Sequence, residues 1–276
     1  MGAFLELVRI EHTLFALPFA YTAAFLAAGG IPPADKLLWI TVALIGAWNG
    51  AMAANRLIDL EYDAQNPRTK DWVLVRGRLR PRQVQIFMVA NLASLIYAAY
   101  RLGPICLALS PLALFFLIFY SYTKRFTPLV HFFLGGTIGL ASLGAWLAVA
   151  ERLTWAPIFF YVAISLWVAG FDIIYHIADA DYDRQVGLHS IPVKWGATKS
   201  INLALLLHLG TVLFLYLFWQ AAGLGTGFQV AMALVLLIFA REVYLVRRQR
   251  LSLAFNTNLV VGMIIFLFTL WDLLTI

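Results

Sequence analysis

Residues 37–63 read LLWITVALIGAWNGAMAANRLIDLEYD, an apolar run that ends in a polar cluster. The apolar part, 37–58, is long enough to cross a hydrocarbon core of about 30 Å as a helix. Similar runs recur along the chain, and we interpret nine as membrane-spanning helices: 11–30, 37–58, 84–101, 104–121, 129–150, 156–177, 201–220, 226–243 and 254–274. The sequence therefore predicts an all-α, polytopic membrane protein that forms a single domain over residues 1–276.

The composition supports this fold class and excludes others. The chain is 62% hydrophobic and 12% charged, with a mean hydropathy of +0.84, values that do not suit a soluble domain. The single cysteine, Cys106, lies in an apolar run, so we expect neither a disulfide framework nor a thiolate metal site.

The distribution of basic residues predicts how the chain is oriented. If the N-terminus is cytoplasmic, seventeen of the 20 Lys and Arg residues fall on the cytoplasmic side, a strong positive-inside bias. Only Lys36, Arg101 and Arg152 fall on the other side. The basic residues lie next to the membrane rather than in a separate domain, so we do not expect a nucleic-acid partner. We expect an integral protein of the cell membrane whose N-terminus and polar loops face the cytoplasm.

Two acidic clusters at the ends of apolar runs stand out in this weakly charged chain. Asp59 and Asp63 are four residues apart, as are Asp179 and Asp183, and Asn55 precedes the first pair by one helical turn. Residues four apart share one face of a helix, and carboxylates so close together in lipid repel unless cations neutralise them. Because Mg²⁺ prefers oxygen ligands and commonly bridges to phosphates, the five residues predict a Mg²⁺ site. Solvated helix ends are the alternative interpretation.

Basic residues beside the clusters predict an anionic ligand. Arg68 and Lys70 follow the first cluster, and the pair Lys124-Arg125 ends the fourth apolar run. A diphosphate bridged by metal ions needs such partners for its remaining oxygens. Taken singly, each of these cations is better explained as a topology determinant.

Longer stretches around both clusters resemble one family. Residues 55–69, NRLIDLEYDAQNPRT, resemble the first signature of the UbiA family of intramembrane prenyltransferases, and residues 172–192, from Asp172 to Pro192, resemble its second. Residues 11–18, EHTLFALP, and 122–127, YTKRFT, with His131, match flanking patterns of that family. The similarity covers nearly the whole chain and is greatest to the 4-hydroxybenzoate and 1,4-dihydroxy-6-naphthoate polyprenyltransferases.

The resemblance implies a fold and a reaction. It implies nine helices around a central cavity with a cytoplasmic cap, and Mg²⁺-dependent transfer of a polyprenyl group from its diphosphate to an aromatic acceptor in ubiquinone- or menaquinone-type biosynthesis. The carboxylates of Asp59, Asp63, Asp179 and Asp183 would be catalytic through the metal ions that they hold with Asn55. The resemblance also implies that Tyr120, Tyr122 and Tyr175 line the reacting end. Asp172 lies two helical turns before Asp179 on the same face, where it supports a metal ligand, binds the acceptor or forms an interhelical hydrogen bond.

Two departures from the family pattern leave the acceptor open. Trp48 stands where family members that prenylate aromatic acids commonly carry Arg, and Trp72-Val73 stands where the family pattern has Arg-Pro in the loop after the first cluster. Trp cannot pair with a carboxylate or a phosphate as Arg does, so the first change argues against a benzoate-type acceptor and the second weakens the diphosphate clamp. We therefore keep a non-acid acceptor as an alternative: a porphyrin, a glycerol phosphate lipid or a quinol-like ring. A transporter or lipid carrier is a further alternative from another class. For His176 we favour a structural hydrogen bond over a substrate contact, and we expect Asp272 at the membrane interface.

Overall fold

The computed structural model describes residues 2–9 and 16–275, and within these ranges every regular element is a helix. Two 3₁₀ turns, Ile177–Asp179 and Asn258–Val260, interrupt the helical order. The α-helices are α1 (Gly2–Val8), α2 (Leu17–Ala28), α3 (Ala34–Ile58), α4 (Leu60–Gln65), α5 (Pro81–Leu102), α6 (Pro104–Thr123), α7 (Val130–Ala150), α8 (Trp155–His176), α9 (Ala180–Gln185), α10 (Ile191–Ala222), α11 (Thr226–Arg247), α12 (Leu251–Thr257) and α13 (Val261–Thr275).

The described residues contain eight helical stretches long and apolar enough to cross a membrane. Large apolar side chains face outward along them: Leu206, Leu209 and Leu213, on one face of α10, are 63%, 62% and 54% exposed. In water such a surface would be costly, whereas lipid solvates it. The all-helical membrane fold predicted from the sequence is confirmed.

The predicted segments differ from the helices mainly at the ends of the chain. The described part of the first, 11–30, is the 12-residue helix α2, and the predicted start at residue 11 lies outside the described residues. The predicted helix 201–220 is longer, from Ile191 to Ala222, with a kink at Gly196, where φ is +75°. The last segment is divided into α12 and α13 by a 3₁₀ turn.

The helices α7 and α8 pack closely because small residues line their contact. A Cβ at Gly135 would clash with the backbone oxygen of Ser165, and one at Gly139 would clash with the side chains of Ser165 and Tyr161. Small residues allow this approach in membrane bundles. Gly135 lies one turn after His131, so the close contact also sets the position of His131 relative to α8.

Both acidic clusters lie at one end of the bundle, which we call the motif end. The chain breaks its helical path at the first Asp of each cluster, with φ −97° and ψ 5° at Asp59 and φ −97° and ψ −6° at Asp179. The segment between α4 and α5 folds over this end, and its Thr69, Val73 and Leu74 are buried. It provides a cap over this end of the bundle, as the family resemblance implied.

Asp272, which we expect at the membrane interface, is buried inside the protein rather than exposed on its surface. Asp272 is 2% exposed, and its two carboxylate oxygens accept hydrogen bonds from the backbone N–H groups of Gly227 at 2.9 Å and Phe228 at 2.8 Å. These N–H groups belong to the first turn of α11, where they have no partner within the helix. Asp272 therefore caps α11 from α13.

Candidate active site

Asp59 is the buried centre of the first cluster, with a side chain 3% exposed. Its Oδ2 accepts hydrogen bonds from Lys124 Nζ at 2.7 Å and from Asn55 Nδ2 at 2.8 Å. Arg125 Nη2 lies 3.7 Å from Oδ1 and donates to the backbone oxygen of Ile58 at 2.7 Å. The basic pair that ends α6 thus lies against the first cluster, as its sequence position suggested.

Asp179 is the corresponding centre of the second cluster, with a side chain 6% exposed. Arg68 donates to it through two parallel bonds, from Nε to Oδ1 at 2.8 Å and from Nη2 to Oδ2 at 2.7 Å. Arg68 also donates from Nη1 to the Tyr175 hydroxyl at 2.8 Å. Asn66 supports the pair, since its Oδ1 accepts the Arg68 backbone N–H at 2.9 Å and its Nδ2 lies 3.5 Å from Asp179.

These contacts bring the two clusters to one site. Arg68 follows the first cluster in sequence but binds the second, and the Tyr182 hydroxyl donates to the backbone oxygen of Tyr62 at 2.6 Å. An open cavity of about 510 Å³ lies between the two, with Asn66, Arg68, Asp179 and Tyr182 among its lining residues. The structure therefore brings the two clusters to the same end of the bundle, and of the five predicted ligands Asp179 lines this cavity.

Each cluster pairs one carboxylate with a cation and leaves the other without an ion pair. Within the described parts of the chain, Asp63 and Asp183 form no ion pair, and Asp59 Oδ1 has no hydrogen-bond partner. Burial raises the pKa of Asp63 to about 6, opposed by Arg56 and reinforced by Asp59. Buried carboxylates that lack an ion pair or a hydrogen bond are suitable ligands for a hard divalent cation.

The charge on Arg68 depends on its contacts. Burial works against its guanidinium charge, but the hydrogen bond to Asp179 and the nearby Tyr175 outweigh burial and raise the pKa of Arg68. The pair is a forked Arg–carboxylate contact, the geometry that binds carboxylate and phosphate best. Arg68 can therefore serve either kind of anion.

The remaining predicted site residues lie at varied distances from this centre. Tyr120 is close enough to Asp59 for an electrostatic interaction, and the hydroxyl of Tyr175 accepts a hydrogen bond from Arg68. By contrast, Tyr122 is 40% exposed with the Arg125 guanidinium 5.0 Å from its ring centre. Lys70 is exposed on the cap. The indole N–H of Trp48, two turns before Asn55, donates to the backbone oxygen of Val8 at 3.2 Å.

Trp72 has a definite contact of its own. The guanidinium of Arg56, which is 8% exposed, lies 3.5 Å from the centre of a Trp72 ring. Arg9, Arg56 and Trp72 line a second cavity of about 290 Å³ beside α1. The Trp that replaces an expected Arg therefore covers a buried Arg from α3.

Asp172 forms the interhelical hydrogen bond that the sequence analysis held open, with a partner that it did not identify. Asp172 Oδ2 lies 2.7 Å from Nδ1 of the fully buried His131, and Oδ1 lies 3.3 Å from His176 Nδ1. His131 is on α7, and its sequence match to a family pattern gave no indication of this partner. The four-residue spacing of Asp172 and His176 was the available signal. A second missed network joins Trp167, Asn258 and Glu242 inside the bundle.

Comparison with known proteins gives consistent results. A sequence model described as the UbiA prenyltransferase family matches residues 16–270. A 4-hydroxybenzoate octaprenyltransferase of Marinobacter nauticus is 30% identical over 99% of this chain and 95% of that protein.

Solved structures have the same fold. The apo structure of a UbiA homolog from Aeropyrum pernix K1 matches with a TM-score of 0.89 and 34% identity, over 95% of this chain and 98% of that one. A UbiA homolog from Archaeoglobus fulgidus, solved with GPP and Mg²⁺ bound, matches with a TM-score of 0.78 and 17% identity, over 99% of this chain and 100% of that one. At 17% identity, the second match concerns the fold alone.

Proposed function

The chain belongs to the UbiA prenyltransferase family, and we propose that it transfers a polyprenyl group from a polyprenyl diphosphate to an aromatic acceptor in ubiquinone- or menaquinone-type biosynthesis. The observation that carries this proposal is the meeting of the two acidic clusters at one end of the bundle, with Arg68 and Lys124 within hydrogen-bond distance of their central carboxylates. A site with this charge arrangement binds metal ions and a diphosphate together.

The donor set fits Mg²⁺. Five oxygen-bearing side chains would hold it: Asn55, Asp59, Asp63, Asp179 and Asp183. The buried Oδ1 of Asp59, which has no hydrogen-bond partner among the described residues, is an available ligand atom, and a buried carboxylate oxygen is costly without a partner. When bound, Mg²⁺ would draw charge from the diphosphate and make it a better leaving group.

The cations would complete the donor site. Arg68 and Lys124 would bind diphosphate oxygens, with Arg125 and the exposed Lys70 adding positive charge. To do so, Arg68 and Lys124 exchange a carboxylate for a phosphate oxygen, which the forked guanidinium and the mobile ammonium both accommodate. The diphosphate leaves with the electron pair of the allylic C–O bond, and the aromatic ring attacks the resulting carbon centre.

The chain's apolar interior would protect that centre. Tyr120, Tyr122 and Tyr175 would present aromatic faces that stabilise positive charge, while the membrane-embedded helices exclude water that would quench it. The isoprenoid tail is apolar enough to extend into lipid. The protein is an integral membrane protein, and the positive-inside bias supports a motif end and N-terminus that face the cytoplasm.

We propose an aromatic acid as acceptor, since the M. nauticus relative is named a 4-hydroxybenzoate octaprenyltransferase. Asp172 and Trp48 would contact it. Trp48, which replaces the family Arg, donates a hydrogen bond to the backbone oxygen of Val8, the residue before Arg9. Arg9 and the buried Arg56 line one cavity beside α1. These two cations support a carboxylated acceptor despite the substitution at Trp48.

The test uses the purified full chain in nanodiscs with radiolabelled geranyl diphosphate and Mg²⁺. The acceptors are 4-hydroxybenzoate, 1,4-dihydroxy-6-naphthoate, a quinol, a glycerol phosphate lipid and a porphyrin. We expect prenylation of an aromatic acid; product only with a non-acid acceptor would replace the acceptor assignment. The absence of product and of released diphosphate with every acceptor would overturn the enzyme proposal and favour a carrier.

One variant in each cluster tests the site, and a neighbouring exposed aspartate provides the control. Asp183→Ala and Asp59→Ala should abolish Mg²⁺-dependent turnover, because each removes a ligand. Asp181→Ala is the matched control, since Asp181 lies two residues before Asp183 but is 94% exposed and paired with Arg184 at the surface. Full activity in Asp183→Ala or Asp59→Ala would show that the metal ions bind elsewhere.

A further inference from the structure

Three side chains from two helices form a buried acid–imidazole cluster beside the proposed donor site. His131 of α7 and His176 of α8 both direct Nδ1 at the Asp172 carboxylate, at 2.7 Å and 3.3 Å. The potential ligand atoms of the three lie within 4.8 Å of one another. Their spacing would allow a metal ion, so the state of each ring nitrogen decides what the cluster can do.

The backbone fixes the tautomer of His131. The N–H of Ile191 points at His131 Nε2 at 3.3 Å, so Nε2 must be an acceptor and the ring hydrogen must sit on Nδ1. Nδ1 then donates to Asp172 Oδ2. Because both nitrogens of His131 are engaged within the protein, the cluster is poorly suited to bind a metal ion, and His131 instead holds the Asp172 carboxylate in place.

The second imidazole is fixed in the same way but keeps one nitrogen available. His176 Nδ1 lies 3.0 Å from the Asp172 backbone oxygen and 3.3 Å from Oδ1. Both oxygens accept hydrogen bonds, so Nδ1 carries a hydrogen, and in the neutral ring Nε2 presents a lone pair. Among the described residues no partner bonds to His176 Nε2. The side chain of His176 is 25% exposed, whereas that of His131 is fully buried.

His176 lies beside the second acidic cluster. It precedes Asp179 by three residues, and its neighbour Tyr175 holds Arg68. The charged groups that act on it are Asp172 on its own helix, His131 on α7, and Asp179 and Asp183 from the second cluster. The Asp172 carboxylate lies 3.3 Å from the ring, where it would stabilise the positive charge that a transferred proton brings.

We propose that His176, held by Asp172 and His131, accepts the proton that the aromatic acceptor loses during prenylation. This role rests on the proposed prenyl transfer. The allylic C–O bond breaks and its electron pair leaves with the diphosphate; a π electron pair of the ring forms the new C–C bond. The C–H bond at that ring carbon then breaks, its electrons restore the aromatic system, and the proton passes to Nε2. Asp172 stabilises the imidazolium that forms.

The decisive variant is His176→Gln, which keeps hydrogen-bonding capacity but cannot accept a proton at this position. We expect kcat to fall by about 100- to 10,000-fold, while KM for the donor and affinity for inorganic pyrophosphate with Mg²⁺ stay near wild type. Because proton removal becomes slow, 4-hydroxybenzoate deuterated at the ring positions beside its hydroxyl should show a primary isotope effect in the variant. A merely structural role would not produce that effect.

A second variant and a matched control complete the experiment. Asp172→Asn weakens the stabilisation of the imidazolium, so the fall in kcat toward low pH should move to lower pH. His189→Gln, an exposed histidine of the same region, should leave kcat and its pH profile unchanged.

Wild-type kcat in folded His176→Gln, or a low kcat without the isotope effect, would overturn the role of His176. An unshifted pH profile in Asp172→Asn would do the same if His176→Gln fails to fold. Wild-type protein that prenylates no acceptor would instead overturn the proposed function and this role together.

Discussion

Arg68 and the proposed Mg²⁺ compete for the carboxylate oxygens of Asp179. Removing Arg68 should therefore change the Mg²⁺ affinity in a direction that can be measured. Both carboxylate oxygens of Asp179 accept from Arg68, at 2.8 Å and 2.7 Å. A metal ion that binds alone must displace this pair, whereas a metal ion that arrives with a diphosphate offers Arg68 a new anion. Arg68→Gln should therefore tighten Mg²⁺ binding without diphosphate and weaken it when pyrophosphate is present.

The size of the effect follows from the pair's geometry. A hydrogen bond to a charged group contributes about 1.5 to 3 kcal/mol to stability, but the Arg68 side chain is 36% exposed, so solvent screening lowers its value. We take about 1 to 2 kcal/mol for the pair as a whole. Since about 1.4 kcal/mol corresponds to a tenfold change, Arg68→Gln should bind Mg²⁺ alone about 5- to 30-fold more tightly than wild type.

Titration calorimetry of Mg²⁺ into the full chain in nanodiscs, with and without inorganic pyrophosphate, measures both signs. Arg76→Gln is the control, because Arg76 also pairs with an aspartate, Asp71, but both side chains are exposed, at 59% and 60%. The control should match wild type in both titrations. Equal or weaker Mg²⁺ binding by Arg68→Gln in the absence of pyrophosphate would refute the competition.

Three further predictions concern the titration of one carboxylate and the stability of the bundle. Burial raises the pKa of Asp63 to about 6, and a metal ion must displace its proton, so Mg²⁺ affinity should decline as the pH drops through about 6 and level off above it; Asp71→Asn should keep this dependence, and a flat wild-type profile would contradict it. Asn258→Ala removes a buried side chain bonded to α8 and α11 and should lower stability by about 1 to 3 kcal/mol; thermal melting should show no comparable loss in the exposed Asn256→Ala. Asp272→Ala removes the cap of α11 and should cost about 1 to 2 kcal/mol, so an unchanged melting temperature would argue against the cap.

The sequence predicts the helices and the site's location well because both depend on local pattern. Apolar runs of spanning length specify the helices regardless of their neighbours, and the position of Asp59 and Asp179 at the ends of two such runs predicts that they meet if both ends lie on one side. The family resemblance, the membrane fold and the class of enzyme are confirmed. The assignment of individual residues to metal, diphosphate and acceptor stays a prediction.

Long-range contacts between polar side chains could not be predicted in the same way. The carboxylate of Asp272 finds its partners in the first turn of α11, and nothing in either local sequence specifies that approach. Likewise, the backbone N–H of Ile191 donates the hydrogen bond that fixes the tautomer of His131. Every residue except proline carries a backbone N–H, so this contact leaves no signal in the sequence. Such contacts depend on how whole helices pack, and the close approach at Gly135 is one of the features that sets it.

The pairing of cations with the clusters also explains how four carboxylates can share the end of a membrane bundle. Isolated charges at this depth are costly, and a buried pair that loses one partner is strongly destabilised. Lys124 and Arg68 neutralise the central carboxylate of each cluster, while a raised pKa lets Asp63 carry less charge. Metal and diphosphate must replace each of these contacts as they bind. Because neither alone restores the charge balance, the structure favours their entry as one complex, and the calorimetric titrations above distinguish this from independent binding.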